Sequence, residues 1–121
     1  MNARLLLLTI ATTSLVAVSG SATDVVEIRV NGHYFAEPAT VQIIIAVEPD
    51  QANRTLRVEA DGDRFFRSSE ITLAGSSEKR LHNLEFRNLP AGFYELRAEV
   101  LSAREVRGMA VQDLEVMGEP R

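Results

Sequence analysis

Few residues in this chain could do chemistry. His33 and His82 are the only histidines, and cysteine is absent from all 121 residues. A protein-held metal needs several converging ligands, so neither histidine makes a site alone. His33 follows the turn pair Asn31-Gly32 and reads as a solvated loop residue. His82 alternates with Leu84 and Phe86 and reads as a half-buried strand residue. Without cysteine there is no disulfide framework, no thiolate metal site and no cysteine nucleophile. Glu59, Asp61 and Asp63 gather around Asp61-Gly62. A calcium loop needs oxygen ligands at more positions and usually a bidentate Glu further on. The pattern stops after two positions, which leaves a hairpin turn with solvated carboxylates. There is no Gly-x-Ser-x-Gly, no His-Glu-x-x-His, no phosphate loop and no dinucleotide fingerprint. The expectation is a protein that is not an enzyme and holds no metal or cofactor.

Charge narrows the partners. The formal net charge is −4 and the pI about 5.2. Nucleic-acid binding normally shows as a basic face, and here both signs are mixed along every segment. No nucleic-acid partner is expected. Asn53-Arg54-Thr55 fits the N-glycosylation pattern, which in a bacterial chain is coincidence.

The first stretch reads as a targeting segment. Arg4 is the only charge before Asp24, Leu5 to Val18 is apolar apart from Thr and Ser, and Ser19-Gly20-Ser21-Ala22 are small. A positive start, an apolar run and a small-residue end make a secretory signal peptide. Cleavage after Ala22 puts Gly20 and Ala22 at the two positions that must be small; cleavage after Ser19 is the alternative. The run is shorter than the ~20 apolar residues of a membrane span, so no stable span is expected after cleavage. The organisation is therefore residues 1–22 as signal peptide and 23–121 as one domain. Secreted eukaryotic domains of this size are often disulfide-stabilised, so the chain reads as bacterial, and periplasmic or secreted. A lipoprotein anchor is excluded because it needs a cysteine.

The mature part alternates with period two, the strand signal. The apolar sets are Val26, Ile28, Val30; Val41, Ile43, Ile45, Val47; Leu56, Val58, Ala60; Ile71, Leu73; His82, Leu84, Phe86; Tyr94, Leu96, Ala98, Val100; and a last strand near Ala110 to Val116. Gly, Pro, Asn and Asp separate them. The spacing predicts an all-β, antiparallel sandwich of about seven strands. If the strand carrying Glu95, Arg97 and Glu99 lies antiparallel to that carrying Thr55, Arg57 and Glu59, opposite charges can face each other across the ladder.

Leu84 to Val100 is the most informative stretch. Its core, Leu89-Pro90-Ala91-Gly92-Phe93-Tyr94-Glu95-Leu96, resembles the E–F corner and strand F of a fibronectin type III-like or other bacterial immunoglobulin-like domain. Similar patterns occur in prealbumin-like surface repeats and carboxypeptidase regulatory-like domains. The resemblance implies an immunoglobulin-like sandwich in which Tyr94 bonds back to the corner backbone. Leu89, Pro90, Gly92 and Tyr94 would form that structural corner.

Alternation buries Ile43 and Ile45 and turns Ile44 outward, and one of Phe65 and Phe66 should also face out. Exposed apolar patches on sheets often mark partner surfaces. Ile44, Phe65 and Phe66 are therefore the candidate partner-binding residues, with the loops Glu48 to Asn53 and Asp61 to Ser69. The reading is an exported, non-catalytic module that binds or supports another envelope protein. The alternative is a carbohydrate-binding module with Tyr34, Phe35 and Phe65 as platform. The oligomeric state is left open.

Overall fold

The computed structural model describes residues 25–118. The expected signal peptide, residues 1–22, lies outside them. The described residues form eight strands: β1 (Val26–Val30), β2 (Tyr34–Ala36), β3 (Ala39–Val47), β4 (Thr55–Gly62), β5 (Phe66–Thr72), β6 (Leu81–Leu89), β7 (Gly92–Leu101) and β8 (Val106–Met117). A 3₁₀ turn at Gly75–Ser77 links β5 to β6. The described residues are all-β, in two sheets: β1-β3-β6 and β2-β8-β7-β4-β5.

Two details differ from the expected sandwich. There are eight strands rather than seven, because Tyr34–Ala36 pairs with Glu115–Met117, and that pairing is parallel. Three residues are too short to show an alternating pattern, so this strand left no sequence signal. Ser102 to Glu105 is a tight turn, with the Glu105 carbonyl accepting from the Ser102 N–H at 2.8 Å.

The core lies between the sheets. Val41, Ile43, Ile45 and Val47 of β3 face Leu56, Val58, Leu96, Ala98 and Val100 of the larger sheet, all essentially without solvent contact. The period-two sets account for this, since residues i and i+2 of a strand share a face. At about 25 cal/mol per Å² of apolar surface, this burial is the main favourable term.

Among the described residues one buried side-chain polar atom is unpaired. His82 on β6 sits opposite Ile45 and is buried, and its Nε2 has no hydrogen-bond partner. Leaving such a group unmade costs about 1–3 kcal/mol, and removing it with a side chain of similar shape is neutral or stabilising. His82→Leu is therefore expected to leave stability unchanged or raise it by up to about 1 kcal/mol. Urea unfolding checks this; a clear loss of stability would mean that the imidazole has a bonding role.

Candidate functional site

The outer face of the three-stranded sheet carries a trough enclosing about 400 Å³. Three short runs line it: Arg29 to Asn31 at the end of β1, Gln42 to Ile44 of β3, and Asn83 to Glu85 of β6. The register explains the grouping. Arg29, Ile44 and Asn83 form one cross-strand row, and Gln42 pairs with Glu85 nearby. Ile44 is the apolar floor and remains partly exposed. The Asn31 Oδ1 accepts from the Gln42 N–H at 3.2 Å, and the Gln42 Nε2 donates to Glu85 at 3.5 Å. The walls carry opposite charges: Arg29 on the β1 side and Glu85 on the β6 side. Each has a partner along its own strand, Glu27 at 3.3 Å and Arg87 at 2.7 Å.

The outer face of the five-stranded sheet is built differently. Arg57 pairs across with Glu99 and Glu70, and Glu59 with Arg97. Arg57 donates through Nε and Nη2 to Glu99, at 3.1 and 2.7 Å, and Arg97 reaches Glu59 at 3.2 Å and also Glu95. The hydrogen bond to Glu99 is the largest cause raising the Arg57 pKa; the bond to Glu95 does the same for Arg97. Both stay charged, which makes this face a closed ladder of satisfied charges rather than a reactive site. Arg57 is about one-third exposed, so the pair contributes little. A double-mutant cycle on Arg57 and Glu99 is expected to give under about 1 kcal/mol of coupling, shrinking further as salt is raised.

The structure separates the residues expected to bind a partner. Ile44 lies in the trough of one sheet. Phe66 is exposed on β5, at the edge of the other sheet, and Phe65 packs partly against the core with the Arg67 guanidinium 5.2 Å from its ring centroid. The Glu48 to Asn53 loop is pinned. Asn53 is buried, its Nδ2 donates to the Glu48 carbonyl at 3.0 Å, and its Oδ1 accepts from Arg107 at 2.6 Å. That geometry also makes Asn53 inaccessible to glycosylation in the folded domain. At the corner, the Tyr94 hydroxyl donates to the Pro90 carbonyl at 2.6 Å; Leu89 is buried and Gly92 has φ 155°. Burial is the first cause raising the Tyr94 pKa, which keeps the phenol protonated as a donor.

No group of three or more His, Cys, Asp or Glu that could hold a metal occurs among the described residues. His33 is exposed near Gln112, on the five-stranded side, whereas His82 is buried in the other sheet. The sequence marks Ile44 as outward-facing but gives no sign of the trough. Its other wall residues sit on strands distant in sequence, and only the register brings them together.

No family model and no curated protein matches the sequence. Solved structures do resemble it. A single-substitution variant of superoxide reductase (neelaredoxin) from Ignicoccus hospitalis has a TM-score of 0.58 at 12% identity over 79% of this chain and 82% of that one. The same protein without a stated substitution gives 0.56 at 11% identity, covering 75% and 79%. At this identity the likeness concerns the fold. It corrects the family resemblance drawn from the Leu89–Leu96 corner: the neighbours are superoxide reductases, not fibronectin type III-like or other immunoglobulin-like modules. One corner motif specifies a local turn, and any sandwich with a tight connection there can use it. The neighbours are also named as enzymes, which overturns the expectation of a non-catalytic, envelope-supporting module. The carbohydrate alternative is not favoured either. Tyr34 is exposed, but Phe35 and Phe65 pack against the core, so the three do not form the expected platform.

Proposed function

We propose that this is a small domain on the superoxide reductase (neelaredoxin) fold whose working site is the trough over Ile44. The trough takes a small zwitterionic molecule, an amino acid or short peptide, as ligand or substrate. The observation that carries this reading is the arrangement of the walls, with Arg29 and Glu85 on opposite sides of an apolar floor and side-chain amides between them. The volume of about 400 Å³ lies in the range of small-molecule sites. The ion pairs to Glu27 and Arg87 are exposed and weak, at most about 1 kcal/mol each, so a carboxylate and an ammonium can displace them.

The test is an NMR titration with a set of dipeptides. Shifts should concentrate at residues 29–31, 42–44 and 83–85. Arg29→Ala and Glu85→Ala should each weaken binding roughly fivefold, about 1 kcal/mol. Shifts scattered over the surface, or variants with unchanged affinity, would remove the reading.

The activity named for the neighbours gives a second reading. Reducing superoxide to hydrogen peroxide takes one electron and two protons, and the electron must come from a redox-active centre. This chain has no cysteine, and of its two histidines His82 is buried in the three-stranded sheet while His33 is exposed just before β2, on the five-stranded side. That donor set does not fit a redox metal held by the described residues, so no residue of this chain can be assigned the electron-transfer step. Metal analysis and superoxide consumption of the purified protein decide the matter. A stoichiometric redox metal with superoxide consumption would displace the trough reading.

We also propose that residues 1–22 are a cleaved export leader and 23–121 the working domain, on the pattern of Arg4, the apolar run and the small residues to Ala22. The N-terminal sequence of the protein isolated from its host would show a start at Thr23, or at Gly20 for cleavage after Ser19.

A further inference from the structure

A β-sheet edge presents unpaired N–H and C=O groups, and proteins protect such edges with charge, shortness or cover. Three edges here follow that rule. β1 carries Glu27 and Arg29 in five residues, β5 carries Arg67 and Glu70, and β6 carries Glu85 and Arg87 with the Arg67 guanidinium bonded to the Arg87 carbonyl at 2.7 Å. The fourth edge keeps its protection at its ends, with Arg107 and a register shift at one side and Asp113 at the other, and leaves its middle bare. β2 covers β8 only at Glu115–Met117. From Val106 to Leu114 the outer side of β8 has no strand partner among the described residues. Its centre, Gly108-Met109-Ala110-Val111-Gln112, is uncharged, and Met109 and Val111 on the outer face are 53% and 54% exposed.

We propose that this edge pairs with the same edge of a second copy, antiparallel, about a two-fold axis at Ala110. The free stretch fixes that register. Its uncharged run, residues 108–112, lies between the register shift at Arg107 and the charge of Asp113, short of β2, and the midpoint of that run is Ala110. An axis placed elsewhere would drive one copy into β2 of the other or leave part of the edge unpaired. The hydrogen-bonding sense agrees. The Glu115 N–H donates to His33 on the β2 side, so Asp113, Val111 and Met109 also direct their backbone groups outward. The axis sets Met109 opposite Val111 of the second copy, twice, giving about four backbone hydrogen bonds and covering the exposed apolar pair. No charge in the central five residues opposes this approach, and the two sheets become one continuous sheet. The contact is isologous, so it closes as a dimer.

The test uses sedimentation equilibrium and one introduced cysteine in a chain that has none. The purified protein should sediment with twice the chain mass at about 100 µM. Val111→Lys places a charge on the edge, as natural edges do, and should be monomeric, with an unfolding midpoint that does not change with protein concentration and equals that of the native chain at high dilution. In Ala110→Cys the two sulfurs meet across a non-hydrogen-bonded pair, with Cα atoms about 4.5 Å apart, and mild oxidation should give a disulfide-linked dimer. Asp113→Cys should not crosslink. A monomeric native chain overturns the proposal. So does a dimer that survives Val111→Lys or fails to crosslink through position 110.

Discussion

Gly62→Ala is expected to destabilise the domain by about 1–3 kcal/mol, although it adds one methyl group near the surface. A Cβ at position 62 would lie 2.7 Å and 2.8 Å from Cε2 and Cδ2 of the Tyr94 ring, and 3.0 Å from the Phe65 carbonyl oxygen. None of these neighbours can retreat easily. Tyr94 is buried, and its hydroxyl is fixed on the Pro90 carbonyl at 2.6 Å. The Phe65 carbonyl closes the β4–β5 hairpin by accepting from the Gly62 N–H at 2.8 Å. Gly62 and Tyr94 are also direct cross-strand partners, so the clash lies across the shortest distance in the ladder. Urea denaturation of Gly62→Ala, measured in the native and Tyr94→Leu backgrounds, separates this cause from others. With the ring removed, the added methyl should cost markedly less. In a Tyr94→Phe background the ring stays, and most of the cost should persist. Equal costs in all three backgrounds would place the strain at the Phe65 carbonyl instead.

The same pair shows what the sequence could and could not reveal. Alternation in Tyr94, Leu96, Ala98 and Val100 identifies the buried face of β7, because side-chain direction in a strand depends only on parity. The Asp61-Gly62 turn signal places a hairpin near residue 62. Neither pattern shows that Gly62 lies under the Tyr94 ring, because that contact depends on the β4–β7 register. Register also decides the trough. Ile44 reads as outward-facing from parity alone, but Arg29 and Asn83 flank it only through long-range pairing with β1 and β6. The three-residue β2 was invisible because it is too short for a period to show. Its parallel contact with β8 in turn leaves the rest of that edge open. His82 illustrates the opposite case: its place among Leu84 and Phe86 marked it as inward-facing, while its lack of a hydrogen-bond partner is a property of the packed interior. The corner motif specified its own geometry but too little of the chain to identify the fold's relatives.

Leu96→Ala should cost about 2–5 kcal/mol. Leu96 has no solvent contact and sits on the central strand of the larger sheet, with Ala60 opposite on β4 and Gln112 on β8. One neighbour is too small to fill the space, and the other ends in an amide that cannot enter an apolar void without losing its hydrogen bonds. The next inward residue along the strand is Ala98, which is equally small. Collapse around the deletion is therefore limited, and the cost should fall towards the upper half of the range. For a domain of this size, each kcal/mol lowers the melting temperature by roughly 4–8 °C. The denaturant midpoint should fall while the slope stays constant, since the same surface is exposed on unfolding. Leu96 faces the core from the sheet opposite the trough. Under conditions where the variant remains folded, binding at Arg29, Ile44 and Glu85 should keep its native affinity. A proportionate loss of binding would mean that the trough depends on packing across the sandwich, and that its shape is set by both sheets rather than by the register of β1, β3 and β6.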